Sequence, residues 1–196
     1  MSRARIKSSE RLGNGRFRQA ARAGRASAEC QLHLQFESLE TRCLLSLTSA
    51  VMGRHIRDHG VRWERIVASP AVRCAQTIEL GCEAVGQSYA VNWDRRIYLA
   101  SSATLLDLLR EQDSELASLL MIGHNPGLED LIFDLVPDDG TCPLRDMVEE
   151  KFPTAAFAVL ELDVAHWADA APGCARLVHL TRPRDLDPSL GPEAVD

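Results

Sequence analysis

A chain of 196 residues with 45% hydrophobic and 26% charged content has the bulk and balance of one soluble globular domain, or of one domain with an appendage. Its net charge of -6 argues against nucleic acid as a partner of the whole chain, because phosphate backbones are held by basic faces. It contains no apolar run of about eighteen residues, so neither a membrane span nor a membrane partner is expected.

The charge is unevenly spread. Residues 1–29 carry eight Lys or Arg against two Glu, a net of +6, which leaves 14 basic against 26 acidic residues, or -12, for 30–196. This start is rich in Arg, Ala, Gly and Ser, and its large apolar residues Ile6, Leu12 and Phe17 are too few to offset the entropy of ordering it. A disordered basic tail is expected over 1–29, with an organelle transit peptide and a nucleic-acid-binding arm as the alternatives. The six cysteines, Cys30, Cys43, Cys74, Cys82, Cys142 and Cys174, form no C-x-x-C pair, and the N-terminus lacks the apolar core of a secretory signal. They read as reduced thiols of a cytoplasmic protein, and their spacing offers no zinc site.

Gln31 to Glu37 alternates polar and apolar residues, as a half-exposed strand does. Leu44 to His59 follows as a helix that ends at Gly60, a residue at ease in a left-handed C-terminal cap. His55 and His59 lie four apart on it, but the metalloprotease pattern needs Glu directly after the first His and Ile56 stands there. With Arg54, Arg57 and Asp58 interleaved, the pair reads as a solvated helix face.

Glu64 to Ala68 is a short strand that runs into Ser69-Pro70-Ala71-Val72-Arg73. Ser69 suits an N-cap and Pro70 a first helical position, which predicts a helix from there to about Val85. The backbone N–H groups and positive dipole end of such a terminus favour an anion, and Arg73 in the first turn adds a bidentate guanidinium. After Val91-Asn92-Trp93, a loop over Asp94 to Ala100 leads to a helix from Ser102 to Glu111 with Leu105, Leu106, Leu108 and Leu109 as its core stripe.

The apolar run Leu116 to Ile122 predicts a buried strand, and Gly123-His124-Asn125-Pro126-Gly127 follows it. Pro126 suits the first position of a helix over Leu128 to Val136. His124 is thereby placed at the C-terminal edge of a sheet, where open α/β folds hold their ligands. Pro137 to Gly140 is a turn, and a polar, acidic connection is expected from there to Lys151. Two strands, Ala155 to Leu162 and Ala175 to Thr181, close the domain, and the tail after Asp187 is expected to be loose.

Ser69-Pro-Ala-Val-Arg-Cys-Ala-Gln-Thr77, Ile97-Tyr-Leu-Ala100, Gly123-His-Asn-Pro-Gly127, Lys151-Phe-Pro-Thr154 and Pro183-Arg-Asp-Leu186 resemble, in order and spacing, the SixA-type phosphohistidine phosphatases. These are a branch of the histidine phosphatase, or phosphoglycerate mutase-like, superfamily. The resemblance runs from about Val51 to Leu186. It implies an α/β three-layer sandwich whose mostly parallel central sheet is flanked by helices, occupying residues 30–187 with a loose tail over 188–196. It further implies metal-independent removal of the phosphoryl group from a phosphohistidine-bearing signalling protein, or from a small phosphorylated substrate, with no cofactor. Arg73 and His124 would hold the phosphoryl oxygens. Fixed cationic donors of this kind stabilise the charge spread over a transferring phosphoryl group.

The resemblance also implies a nucleophilic histidine in an Arg-His-Gly-like motif at the end of the first strand, within residues 12–22. That stretch contains no histidine. Arg54-His55 is the one Arg-His pair and falls in a helix, while His33 has no Arg before it. No nucleophile is identified, and the N-terminal strand is expected to be missing or replaced, at the cost of core contacts. Arg outnumbers Lys twenty to two, as in a GC-rich gene, and an off-frame reading of such DNA yields Arg, Ala, Gly and Ser. A truncated or frame-altered family member and a non-catalytic phospho-ligand-binding relative are therefore the alternatives to an active phosphatase. Glu79 and Glu83 read as solvated residues and not as general acids. The lack of an acid favours phosphohistidine, whose imidazole leaves more readily than an alkoxide.

Overall fold

The computed structural model describes residues 30–36 and 42–190. The basic tail expected over 1–29, the strand expected within 12–22 and residues 191–196 lie outside the described residues. In chain order the elements are β1 (Cys30–Phe36), α1 (Arg42–Asp58), β2 (Arg65–Ala68), α2 (Val72–Val85), β3 (Val91–Trp93), α3 (Ser102–Arg110), β4 (Ser118–Gly123), α4 (Gly127–Leu135), α5 (Pro143–Glu150), β5 (Phe157–Leu162), β6 (Ala175–Thr181) and α6 (Pro183–Leu186).

Short aliphatic strands alternating with amphipathic helices give a sheet of order β3-β2-β4-β1-β5-β6. The first four of these are parallel, and β5 runs antiparallel to both its neighbours. On one face α1 and α2 bury Met52, Ile56, Cys74 and Ile78 against Ile66, Ala68 and Ile122. On the other, α3, α4 and α5 bury Leu105, Leu109, Leu128, Leu131 and Val148 against Leu32, Leu34 and Met121. The expected three-layer α/β sandwich with a mostly parallel sheet is the observed one.

The structure corrects the expectations for the first strand. A strand is present in the sheet interior, and it is Cys30–Phe36, much closer to Met52 than the resemblance implies. Nor is it half-exposed. Leu32 and Leu34 are fully buried on one face, and on the other His33 and Gln35 are buried too, because β4 and β5 flank the strand and helices cover both faces. His33 is accommodated by stacking on Phe157, with ring centroids 5.7 Å apart, and by its Nδ1–H donating to the Leu119 carbonyl at 3.1 Å. Loss of water around it pulls its pKa from 6.5 to about 4.

Three boundaries also differ. Helix α2 starts at Val72, with Ala71 as an N-cap that offers no side-chain bond, because the Ser69 hydroxyl is engaged elsewhere. Part of the stretch expected to be a polar connection is α5, whose Leu144, Met147 and Val148 form an apolar stripe behind Pro143 at its first turn. Residues Pro188–Leu190 form a 3₁₀ turn held by Ser189 Oγ donating to Asp187 at 2.7 Å.

Truncating Leu34 to Ala is expected to cost about 3 kcal/mol in a urea melt, since a central strand cannot collapse onto the cavity. The buried histidines set an acid limit. With folded pKa values near 4 against 6.5 unfolded, His33 and His55 are protonated only in the unfolded chain between those values. Stability is therefore full above pH 6.5 and falls as pH drops toward 4. A His33→Leu variant should show a shallower fall in its melting temperature over the same window.

Candidate functional site

Parallel register brings three strand ends level. Phe36 of β1 pairs with Gly123 of β4, Ala68 of β2 pairs with Ile122, and Ser69 N donates to Ile122 O at 3.0 Å. The residues just after these ends stand along the C-terminal edge of the sheet. His124 leaves β4 there, 2% exposed, and Arg73 reaches it from the first turn of α2.

Arg73 Nη2 and Nε lie 2.7 and 3.2 Å from His124 Nδ1. A guanidinium can only donate, so Nδ1 is the acceptor and the imidazole carries its proton on Nε2. That Nε2–H donates to Ser69 Oγ at 2.8 Å, and the Ser69 oxygen also accepts from Ala71 N at 3.3 Å. Cys74 Sγ lies 3.8 Å from the same Nε2. Tyr98 closes the site from the loop after β3, its ring 5.3 Å from the His124 ring in an edge-on contact and 5.8 Å from the Arg73 guanidinium carbon. With His124 covered in this way, the half-buried Arg73 guanidinium is the more accessible of the two.

The loop that carries Tyr98 is fixed from beneath. Arg96 is clamped by Asp94 at 2.8 Å and Glu111 at 2.7 Å, and Ile97 is buried against Gly123. At Gly127, a Cβ would collide with the Ala100 carbonyl oxygen, so only glycine allows this approach of loop and helix.

Asn125 and Glu129 extend the site on the α4 side. Asn125 Nδ2 donates to Glu129 Oε2 and to the Phe152 carbonyl, both at 3.0 Å, and Oδ1 is buried with no hydrogen-bond partner among the described residues. The Phe152 bond ties the Lys151-Phe-Pro-Thr154 stretch to this edge. Burial, with Asp130 alongside, raises the Glu129 carboxyl above the usual range. The Pro183-Arg-Asp-Leu186 stretch is α6, preceded by Arg182, which bonds Asp185 and Glu150.

The two residues expected to act together, Arg73 and His124, are thus in direct contact. Sequence reasoning assigned Ser69 to a helix cap and passed over Tyr98, Asn125 and Glu129, although the four-residue spacing of Asn125 and Glu129 on a helix start was a usable signal. Glu79 and Glu83 are exposed, as expected. His33 is turned away from this edge, in mid-strand. His55 departs from the expected solvated face. It is half-buried, with Nε2 3.3 Å from His179 Nε2 and 3.2 Å from Thr181 Oγ1, because α1 packs on the β6 side of the sheet. No group of three or more His, Cys, Asp or Glu among the described residues is arranged to hold a metal ion.

No family model matches the chain. A curated relative does: Rv1276c of Mycobacterium tuberculosis strain H37Rv is 32% identical over 122 residues, which cover 62% of this chain and 74% of that one. The chain belongs to the family of Rv1276c. Among solved structures, a proposed phosphohistidine phosphatase SixA from Nakamurella multipartitia superposes with a TM-score of 0.64 at 21% identity, over 79% of this chain and 96% of that one. The protein histidine phosphatase SixA complexed with tungstate superposes with a TM-score of 0.62 at 21% identity, over 80% and 99% of the two chains. The fold is that of the SixA-type histidine phosphatases.

The tautomer assigned to His124 is measurable. Long-range ¹H–¹⁵N spectra should show its proton on Nε2, and Arg73→Ala, by removing the donor at Nδ1, should shift it toward a mixture of the two tautomers.

Proposed function

We propose that this protein captures the phosphoryl group of phosphohistidine on a protein, holding its oxygens with Arg73 and with His124 after the imidazole exchanges tautomer, so that Nδ1–H donates to the ligand and Nε2 accepts from the Ser69 hydroxyl. The observation that carries this is the 2.7 Å contact between two side chains from separate strand-to-helix junctions, at the sheet edge where such folds bind ligands. A phosphoryl dianion would take over the guanidinium that His124 now accepts from, and would receive charge-assisted bonds from it. A protein of the same fold has been solved with tungstate, a phosphate-like oxyanion, which supports an oxyanion as the ligand. Cytoplasmic signalling proteins are the expected partners.

Two readings of the chemistry follow. In the phosphatase reading the N–P bond breaks, the phosphoryl group passes to an attacking group and then to water, and the imidazole leaves with a proton. Glu129, with its raised pKa, is the carboxyl on hand to supply that proton. The second reading, capture without turnover, is favoured by the first strand itself. The end of β1 and the five residues that follow in the sequence, Glu37 to Thr41, contain no histidine.

Calorimetry with tungstate and phosphate release from a phosphohistidine protein separate these readings. Wild type should bind tungstate, and Arg73→Ala should weaken binding by about tenfold or more. Arg73→Lys should recover only part of this, having a point charge without the fork. Phosphate release that is lost in Arg73→Ala and kept in His33→Ala and His55→Ala makes the protein a phosphatase. Arg73-dependent binding without release makes it a capture module, and a wild type that binds no tungstate sinks the pocket.

A further inference from the structure

The hydrogen bonds around His124 leave more donors than acceptors. Arg73 Nε–H and Nη2–H both bond to the single lone pair of His124 Nδ1, at 3.2 and 2.7 Å. On the other side of the ring, Ser69 Oγ accepts from His124 Nε2–H at 2.8 Å and from Ala71 N–H at 3.3 Å. A hydroxyl oxygen has two lone pairs, and both are then taken. Ser69 is fully buried, and no acceptor for its own O–H is found among the described residues. The resting arrangement is thus short of acceptors at both ends: the guanidinium fork shares one lone pair, and the hydroxyl proton has none.

One bond to the Ser69 oxygen is fixed in sense. Ala71 N–H can only donate, and it is the first amide after Ser69 able to do so, since Pro70 has no N–H. The Ser69 backbone is in turn held to β4, its N–H donating to the Ile122 carbonyl at 3.0 Å. The bond between Ser69 and His124 is not fixed in this way. At 2.8 Å the same two heavy atoms serve equally as N–H···O or as O–H···N. Cys74 Sγ, 3.8 Å from Nε2, is farther away and a weaker donor.

We propose that Ser69 is a positioning residue of the pocket, whose hydroxyl reverses its bond to His124 when an oxyanion arrives and thereby favours the occupied state. The inference rests on the phosphoryl-capture reading above and adds what allows His124 to take part in it. An oxyanion offers Arg73 Nε–H and Nη2–H an oxygen each, which frees Nδ1. The ring loses a proton from Nε2 and gains one at Nδ1, both exchanged with water, so its charge is unchanged. Nδ1–H then donates to the ligand, and the vacated Nε2 accepts the Ser69 proton that had no acceptor before. Ala71 N–H keeps its bond throughout.

The test is the long-range ¹H–¹⁵N spectrum of His124 with and without tungstate, an acceptor-only dianion, beside tungstate titrations of Ser69 variants. Wild type should pass from an Nε2–H ring to a neutral Nδ1–H ring as tungstate saturates it. Ser69→Ala should keep the Nε2–H resting ring, which Arg73 sets, and bind tungstate about tenfold more weakly. Ser69→Thr, which keeps the hydroxyl, should bind within about threefold of wild type. A wild-type ring that stays Nε2–H with tungstate bound, or becomes protonated on both nitrogens, overturns the reversal, because the Ser69 oxygen would go on accepting. Undiminished affinity in Ser69→Ala overturns the role of Ser69, and so does a Ser69→Thr variant that binds as weakly as Ser69→Ala. Each of these outcomes leaves the Arg73 pocket standing, and the wild-type spectra decide the reversal even where a variant does not fold. A wild type that binds no tungstate overturns the pocket and the reversal together.

Discussion

Parallel pairing of β4 with β1 on one side and β2 on the other decides where chemistry can occur in this molecule. The ladder ends level at Phe36, Ala68 and Gly123, and every side chain that matters to the site follows one of the ends or packs over them. A slip of one residue in β4 would turn His124 to the opposite face of the sheet and send Leu119 and Met121 to the wrong layer. The burial of those two residues among the α3 and α4 leucines is therefore what holds the imidazole where Arg73 can reach it.

The candidate site is electrically unusual in its resting arrangement. A guanidinium donates to a neutral imidazole, and the imidazole hands its remaining proton to a serine. The chain runs in one direction, from cation to hydroxyl. An oxyanion entering at Arg73 would compete with His124 for the same N–H groups. Such a ligand must offer more than the bonds it displaces, which a doubly charged phosphoryl group does and a neutral hydroxyl does not.

Much of this was legible in the sequence. The strand-turn-helix junctions at Ser69 and His124 announce themselves through short aliphatic runs that stop at Ser-Pro and Gly-His-Asn-Pro, and a local signal of that kind survives folding because each strand is buried by neighbours of its own making. The first strand was misjudged because alternation in Gln31 to Glu37 is read as one wet face, whereas His33 and Gln35 are polar residues made tolerable in a dry interior by Phe157 and the Leu119 carbonyl. Helix α5 was overlooked because its stripe of three apolar residues sits in an acidic background. The roles of Tyr98 and Ser69 could not be read at all, since both depend on a contact between segments that only the sheet brings together.

The missing side chain at Gly127 couples parts of the site that the chain otherwise keeps separate. The loop bearing Tyr98 rests through the Ala100 carbonyl directly on the backbone that begins α4, with no side chain between them to act as a cushion. The two segments beside His124, the Tyr98 loop and the start of α4, are thus in direct backbone contact. A ligand that moves the loop does so against the Arg96 clamp and the buried Ile97, or it fits the opening as it stands.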